Sequence, residues 1–181
     1  MPLIEKSSVE SLTIGKGAKK EELVIISMTD EWSGISPSSV GNDYEHDTGA
    51  SSDNPFGLVL VSLSAVVAGS ATSTGTVNNV KCVFGATTDV IDPASHISLL
   101  DNVNSGVIDS VLMSKQLSNS MADAQGSYQE SRNNKIIVMP KIHVGYVLSS
   151  SVSSVNLYMK AVFKKVKLTK NEYLEKLVRN I

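Results

Sequence analysis

Cysteine is almost missing from this chain. The one present, Cys82, has no intrachain partner, which excludes a disulfide-stapled secreted scaffold and a cysteine-built zinc module. Aromatic residues make up 5%, with three Phe and one Trp in 181 residues. There is no excess of one charge: 16 Lys+Arg against 18 Asp+Glu leave −2. The chain as a whole is therefore not drawn to nucleic acid or anionic lipid. Long apolar runs are lacking too. Leu58 to Ala68 is the longest, eleven residues with two serines among them, well short of the ~20 that span a bilayer as a helix. Met1 to Ser7 shows no basic segment followed by an apolar one, so no signal peptide is expected. Against these absences stand 41% hydrophobic residues and a mean hydropathy of +0.03, enough to bury the core of a single domain.

Serine is abundant, 28 in all, and much of it alternates with aliphatic residues, as in Val61-Ser62-Leu63-Ser64-Ala65 and Ser151-Val152-Ser153-Ser154-Val155. Small polar residues interleaved with β-branched ones are the period-2 signature of strands with one wet face. Helix-favouring stretches are nearly missing before the last dozen residues. The strand candidates are Leu12–Ile14, Glu22–Met28, Leu58–Ala68, Val77–Phe84, Val107–Leu112, Ile136–Met139, Ile142–Leu148 and Val155–Val166. Leu58–Ala68 is apolar at odd and even positions alike, so it reads as a central strand or a bent pair. In the last candidate, Val155, Leu157, Met159, Ala161 and Phe163 share one face while Asn156, Tyr158, Lys160 and Lys164 share the other. The expectation is an all-β domain over residues 1–168 followed by a helix over 169–181. Three stretches read as long loops: Asp30–Asn54, Asp89–Gly106 (with a short helix around Ala94–Leu100) and Ser118–Asn134.

The terminal helix has the clearest local signature. Thr169-Lys170-Asn171-Glu172 has the capping-box form, with Leu168 and Tyr173 placed as a hydrophobic staple. Tyr173, Leu174, Leu177, Val178 and Ile181 fall on one face at helical spacing. A helix of about three turns is marginal alone, so that face either closes the β domain's own end or docks on another chain.

No catalytic signature is present. Gly34-Ile35-Ser36-Pro37-Ser38 breaks the nucleophile-elbow pattern at its last position, and no glycine-rich run has the form of a phosphate-binding loop. Cys82, mid-strand in apolar surroundings, reads as a buried inert thiol. Asp43-Tyr44-Glu45-His46-Asp47, with Asp53 nearby, gathers oxygen and nitrogen donors in the manner of a Ca²⁺ loop, yet lacks the EF-hand spacing. It reads either as a solvated acidic loop or as the ion site of a Ca²⁺-dependent carbohydrate-binding β-sandwich of the lectin or adhesin kind. His96 and His143 lie far from His46 in sequence. No enzyme, cofactor or metal is expected from these patterns.

Charge is unevenly placed. From Lys160 to Ile181 there are seven basic and two acidic residues, with Lys160, Lys164, Lys165, Lys167 and Lys170 as the candidate basic face. Asp30–Asp53 holds six acidic residues and no Lys or Arg. The lysines either solvate a strand edge and a helix back or meet an acidic neighbour or a polyanion.

The whole pattern resembles the single jelly-roll capsid proteins of icosahedral viruses: about eight strands in under 200 residues, Ser/Thr/Val-rich strands with few aromatics, long loops and no catalytic set. The segment Leu157 to Leu168 with its short helix is similar to the last strand and tail of such coats. The resemblance implies an eight-stranded jelly-roll β-sandwich with a short C-terminal helix, acting as a self-assembling structural subunit of a virion. It further implies synthesis in the host cytoplasm and partnership with copies of itself and other virion proteins. Leu168, Tyr173, Leu174, Leu177, Val178 and Ile181 would form a subunit contact. The chain lacks the long Arg-rich arm with which many RNA-virus coats begin; its first twenty residues hold no Arg, and their basic residues are Lys6, Lys16, Lys19 and Lys20. The implied shell therefore encloses an inner membrane or separately condensed DNA, which the basic C-terminal end would face.

Overall fold

The computed structural model describes residues 2–15, 17, 20–33, 39–70, 78–90, 106–117, 123–131, 134–150 and 154–179. Nine strands are described: β1 (Pro2–Ile14), β2 (Glu21–Ser33), β3 (Ser39–Asp47), β4 (Phe56–Ser70), β5 (Asn78–Thr87), β6 (Val107–Leu117), β7 (Asp123–Glu130), β8 (Lys141–Ser150) and β9 (Ser154–Lys167). A single described helix, α1 (Lys170–Arg179), follows. The strands form two antiparallel sheets, ordered β1-β2-β9-β4-β7 and β3-β8-β5-β6.

The pairing is nested. β2 lies on β9, β3 on β8, β4 on β7 and β5 on β6. That is the ladder of one long hairpin, bent so that successive rungs alternate between two sheets. β4 then also pairs with β9, and β5 with β8, where the hairpin wraps on itself. This is the wiring of a jelly roll, carried by β2–β9; β1 is a ninth strand added outside it on β2.

The core is built from the inward faces of both sheets. The alternation expected for the last strand is realised: Val155, Leu157, Met159, Ala161 and Phe163 are all buried. Ile142, Val144, Tyr146 and Leu148 of β8 and Cys82, Phe84 and Ala86 of β5 meet them from the other sheet. The double apolar parity of Leu58–Ala68 has a physical cause. β4 shifts register between Leu60 and Ser62 against β9, and the extra residue of this bulge reverses the inward parity. Phe56, Leu58 and Leu60 point in before it; Leu63, Ala65 and Val67 point in after it.

Several expectations are corrected. Asp30–Asn54 is not one loop: β2 extends to Ser33, and the acidic run lies on strand β3. The polar stretch Ser118–Asn134 contains β7, and the N-terminal strand is 13 residues long rather than three. Ile136–Met139 is not a strand but a single bridge, Leu58 to Ile137. There Gly57 is required by close approach, since a Cβ would sit 2.3 Å from Ile136 Cγ2. The helix expected around Ala94–Leu100 lies outside the described residues.

Candidate functional site

The terminal helix forms as its capping box dictates. The Thr169 backbone N–H donates to Glu172 Oε2 at 2.8 Å, and the Glu172 N–H donates back to Thr169 Oγ1 at 3.3 Å. The Thr169 backbone N–H first, and the Thr169 hydroxyl second, which also donates to Oε2 at 2.8 Å, hold the Glu172 carboxyl below its ordinary range. Tyr173 is buried, and its hydroxyl donates to the Ala50 carbonyl at 3.2 Å, so α1 is fastened to its own sandwich at the loop after β3. Leu168 and Leu177 are half-buried. Leu174 and Val178 are left at 43% and 73% exposure, apolar surface that the sandwich does not cover. Ile181 lies outside the described residues.

The five lysines occupy different surroundings. Lys160 and Lys164 stand on the outer side of β9, opposite in parity to its buried residues. Lys164 Nζ pairs with Glu21 Oε1 at 2.6 Å. Lys165, of inward parity, sits with its ammonium 4.8 Å from the centre of the Phe56 ring. Lys167 is exposed, and Lys170 reaches Asp53 at 3.9 Å.

The acidic run is already engaged. Asp43 Oδ2 lies 2.8 Å from His143 Nδ1, in a pair that is mostly buried. Lys141 donates to Glu45 at 2.5 Å, and Asp47 Oδ1 accepts the Gly49 N–H at 2.9 Å. Strand alternation sends Tyr44 and His46 to the other side. Among the described residues no three His, Cys, Asp or Glu side chains converge as a metal site would require. Burial pushes the imidazole of half-buried His46 down, against the pull of Asp47 and with a smaller push from Lys165. Cys82 is fully buried and its thiol is pushed up to about 12, the inert state expected of it.

Sequence reading missed a buried polar chain between the sheets. Trp32 Nε1 donates to the Tyr146 hydroxyl, which donates to Asp30 Oδ2, both at 2.5 Å. Asn42 Nδ2 donates to the same oxygen at 3.2 Å. Trp32 and Asp30 stand on β2, Asn42 on β3 and Tyr146 on β8, so the chain ties one sheet to the other. Burial, then the bond to Asp30, drives the Tyr146 hydroxyl far above its ordinary pKa. It is a donor and acceptor here, not an acid.

Two features mark the outer face of the five-stranded sheet. At the β4 bulge a cleft of about 590 Å³ is lined by Val59, Val61 and Val166 together with Glu130, Asn134 and Lys164. Further along, Tyr128 and Tyr158 are 65% and 50% exposed. They flank β4, where Tyr128 is paired with Ser64 and Tyr158 with Val66. Neither feature assembles an acid, a base and a nucleophile.

No protein-family model matches the sequence, and no curated protein matches it. Among solved structures the chain is similar to one from Desmodium yellow mottle tymovirus, at 9% identity and a TM-score of 0.36 over 88% of this chain and 95% of that one. It is similar to a carbohydrate-binding module of the β-sandwich superfamily at 12% identity and a TM-score of 0.30, over 88% of this chain and 53% of the other. TmCBM61 in complex with β-1,4-galactotriose gives 4% identity and a TM-score of 0.28, over 91% and 88%. The assignment of the fold as a β-sandwich rests on the ladders of the chain itself.

Proposed function

We propose that this chain is a self-assembling structural subunit of a virion shell, the role the sequence resemblance implies. A fold does not name a function, so the reading is carried by one observation: the first described strand and the last described helix leave apolar side chains outside the buried core. Leu174 and Val178 on α1, and Val9, Leu12 and Ile14 on β1, are exposed, while the facing sides of the two sheets bury their apolar residues against each other. Such surface suits contact between identical copies. The basic terminal segment would face an inner membrane or the packaged genome, and other virion proteins would complete the shell. Electron microscopy of the concentrated protein should show closed shells or regular sheets. Leu174→Asp with Val178→Asp should abolish them while leaving the far-ultraviolet spectrum of a β protein. Isolated molecules from the unaltered chain at every concentration would overturn the reading.

A second reading, a carbohydrate-binding β-sandwich, is favoured by the exposed Tyr128 and Tyr158 rings, since flat aromatic faces stack on sugars. It does not draw on a Ca²⁺ loop at Asp43–Asp53, where Asp43, Glu45 and Asp47 hold His143, Lys141 and the Gly49 N–H. Retention of the protein on a polysaccharide column, lost in Tyr158→Ala, together with absence of particles, would replace the first reading by this one.

A further inference from the structure

The five-stranded sheet is open along β1. Among the described residues this strand pairs with β2 alone, and every residue from Ser7 to Gly15 is exposed. From Ser7 onward both of its faces are therefore uncovered as well as its edge. Edge strands are ordinarily blunted by a proline, a bulge or charges of one sign. Here Pro2 and the register shift between Pro2 and Ile4 fall at the very end, the charges within the strand are mixed in sign (Glu5, Lys6 and Glu10), and the ladder is regular from Ile4 to Ile14. At ~3.4 Å per residue that leaves about 35 Å of edge whose outward backbone donors and acceptors have no ladder partner among the described residues.

We propose that β1 pairs antiparallel with β1 of a second copy about a two-fold axis, joining two five-stranded sheets into one. The inference rests on the reading of the chain as a self-assembling subunit and names the element through which two copies meet. Sequence fixes the register. Overlapping Pro2–Ile14 fully with itself places the axis at Ser8. Glu10 then stands opposite the copy's Lys6, and Leu12 opposite the copy's Ile4, each contact occurring twice by symmetry. Glu5 meets Ser11, so no like charges face each other. A register centred on Val9 would set Leu12 against Lys6, and one centred on Glu10 would set that carboxylate against itself. Charge complementarity selects Ser8.

The experiment uses the full chain with Ser8→Cys. The native Cys82 is buried with its thiol pushed up to about 12, so it stays silent. At the axis two Cα atoms lie about 4.5–5.5 Å apart, within disulfide reach, whereas Val9→Cys would be separated by about 8 Å with its side chains on the other face. With oxidised glutathione, S8C should give a covalent dimer and V9C should not. Glu10→Lys should weaken self-association by on the order of tenfold in sedimentation velocity, and Lys6→Glu with Glu10→Lys should restore it. An uncrosslinked S8C, equal crosslinking of V9C, or an E10K chain that associates normally would each overturn the pairing. Shells that form while S8C stays uncrosslinked would sink this inference and leave the proposed function standing; absence of shells and dimers alike would sink both.

Discussion

Tyr146 is the residue on which the interior polar chain turns, because its hydroxyl both accepts from Trp32 and donates to Asp30. Tyr146→Phe keeps the ring and its packing, removes the hydroxyl, and leaves the buried indole N–H of Trp32 without that acceptor. The expected loss is about 1–3 kcal/mol, read from urea unfolding monitored by far-ultraviolet circular dichroism. A loss below about 0.5 kcal/mol would show that the chain contributes little to holding the sheets together. His46 supplies a pH effect of defined sign. Its imidazole takes a proton at about 6.5 in the unfolded chain and only at lower pH in the folded one, chiefly because of burial. Between those values the unfolded state binds more protons. Stability is therefore full above about 6.5 and falls as the pH drops toward the lowered folded value. In His46→Gln that portion of the acid loss should vanish, seen as a smaller difference in melting temperature between pH 7 and pH 5; an unchanged difference would refute it. Neither residue's role is legible in the sequence. Asp30 stands next to Glu31 in an acidic stretch that reads as a solvated loop, and Tyr146, which makes its burial tolerable, lies 116 positions away.

Whether an element could be read depended on whether its own side chains alternate. β9 announces itself because five apolar residues at every second position all enter the core. α1 does so because its cap is local, complete within four residues. β3 and β7 carry no such contrast. β3 is polar at Asn42, Asp43, Glu45, His46 and Asp47, and β7 at Gln125, Ser127, Gln129 and Glu130; both are edge strands held by a neighbour's ladder. β4 blurred its own signal through the bulge at Val61. The cap yields a prediction at this scale. The Glu172 carboxyl is ionised to lower pH in the folded state than its ordinary 4.5, because Thr169 donates to it. The added stability of the helix start is present above that ordinary value and lost as pH falls through the lowered one. The protection of the Glu172 and Tyr173 amides against exchange, relative to their intrinsic rates at each pH, should therefore fall on acidification ahead of that of amides in β8, and Glu172→Gln should remove the acid-dependent step. Protection at Tyr173 that follows β8 through the whole titration would show the helix end to be held by the sandwich instead.

For the molecule as a whole, the nested wiring is what no single-sequence pattern displays, because each rung joins segments distant in the chain. Period-2 alternation gives the fold class, but the partner of β2 is the last strand rather than the next. This makes closure a late and indivisible event. β9 sits between β2 and β4, and without it both lose a ladder and the core loses Val155, Leu157, Met159, Ala161 and Phe163. Trp32 reports the closure directly. It is the sole tryptophan, it is buried, it stands opposite Val155 of β9, and its indole is bonded to Tyr146 of β8. Contacts so distant in sequence place refolding in the millisecond-to-second range rather than microseconds. In stopped-flow refolding of the full chain, blue-shifted Trp32 emission should therefore appear in one slow phase together with the far-ultraviolet signal. A chain ending at Ser153 should collapse without it, its tryptophan emission remaining that of an indole in water. Native-like Trp32 emission from the shortened chain would mean that β2 finds its place without the strand that the nested ladder assigns to it.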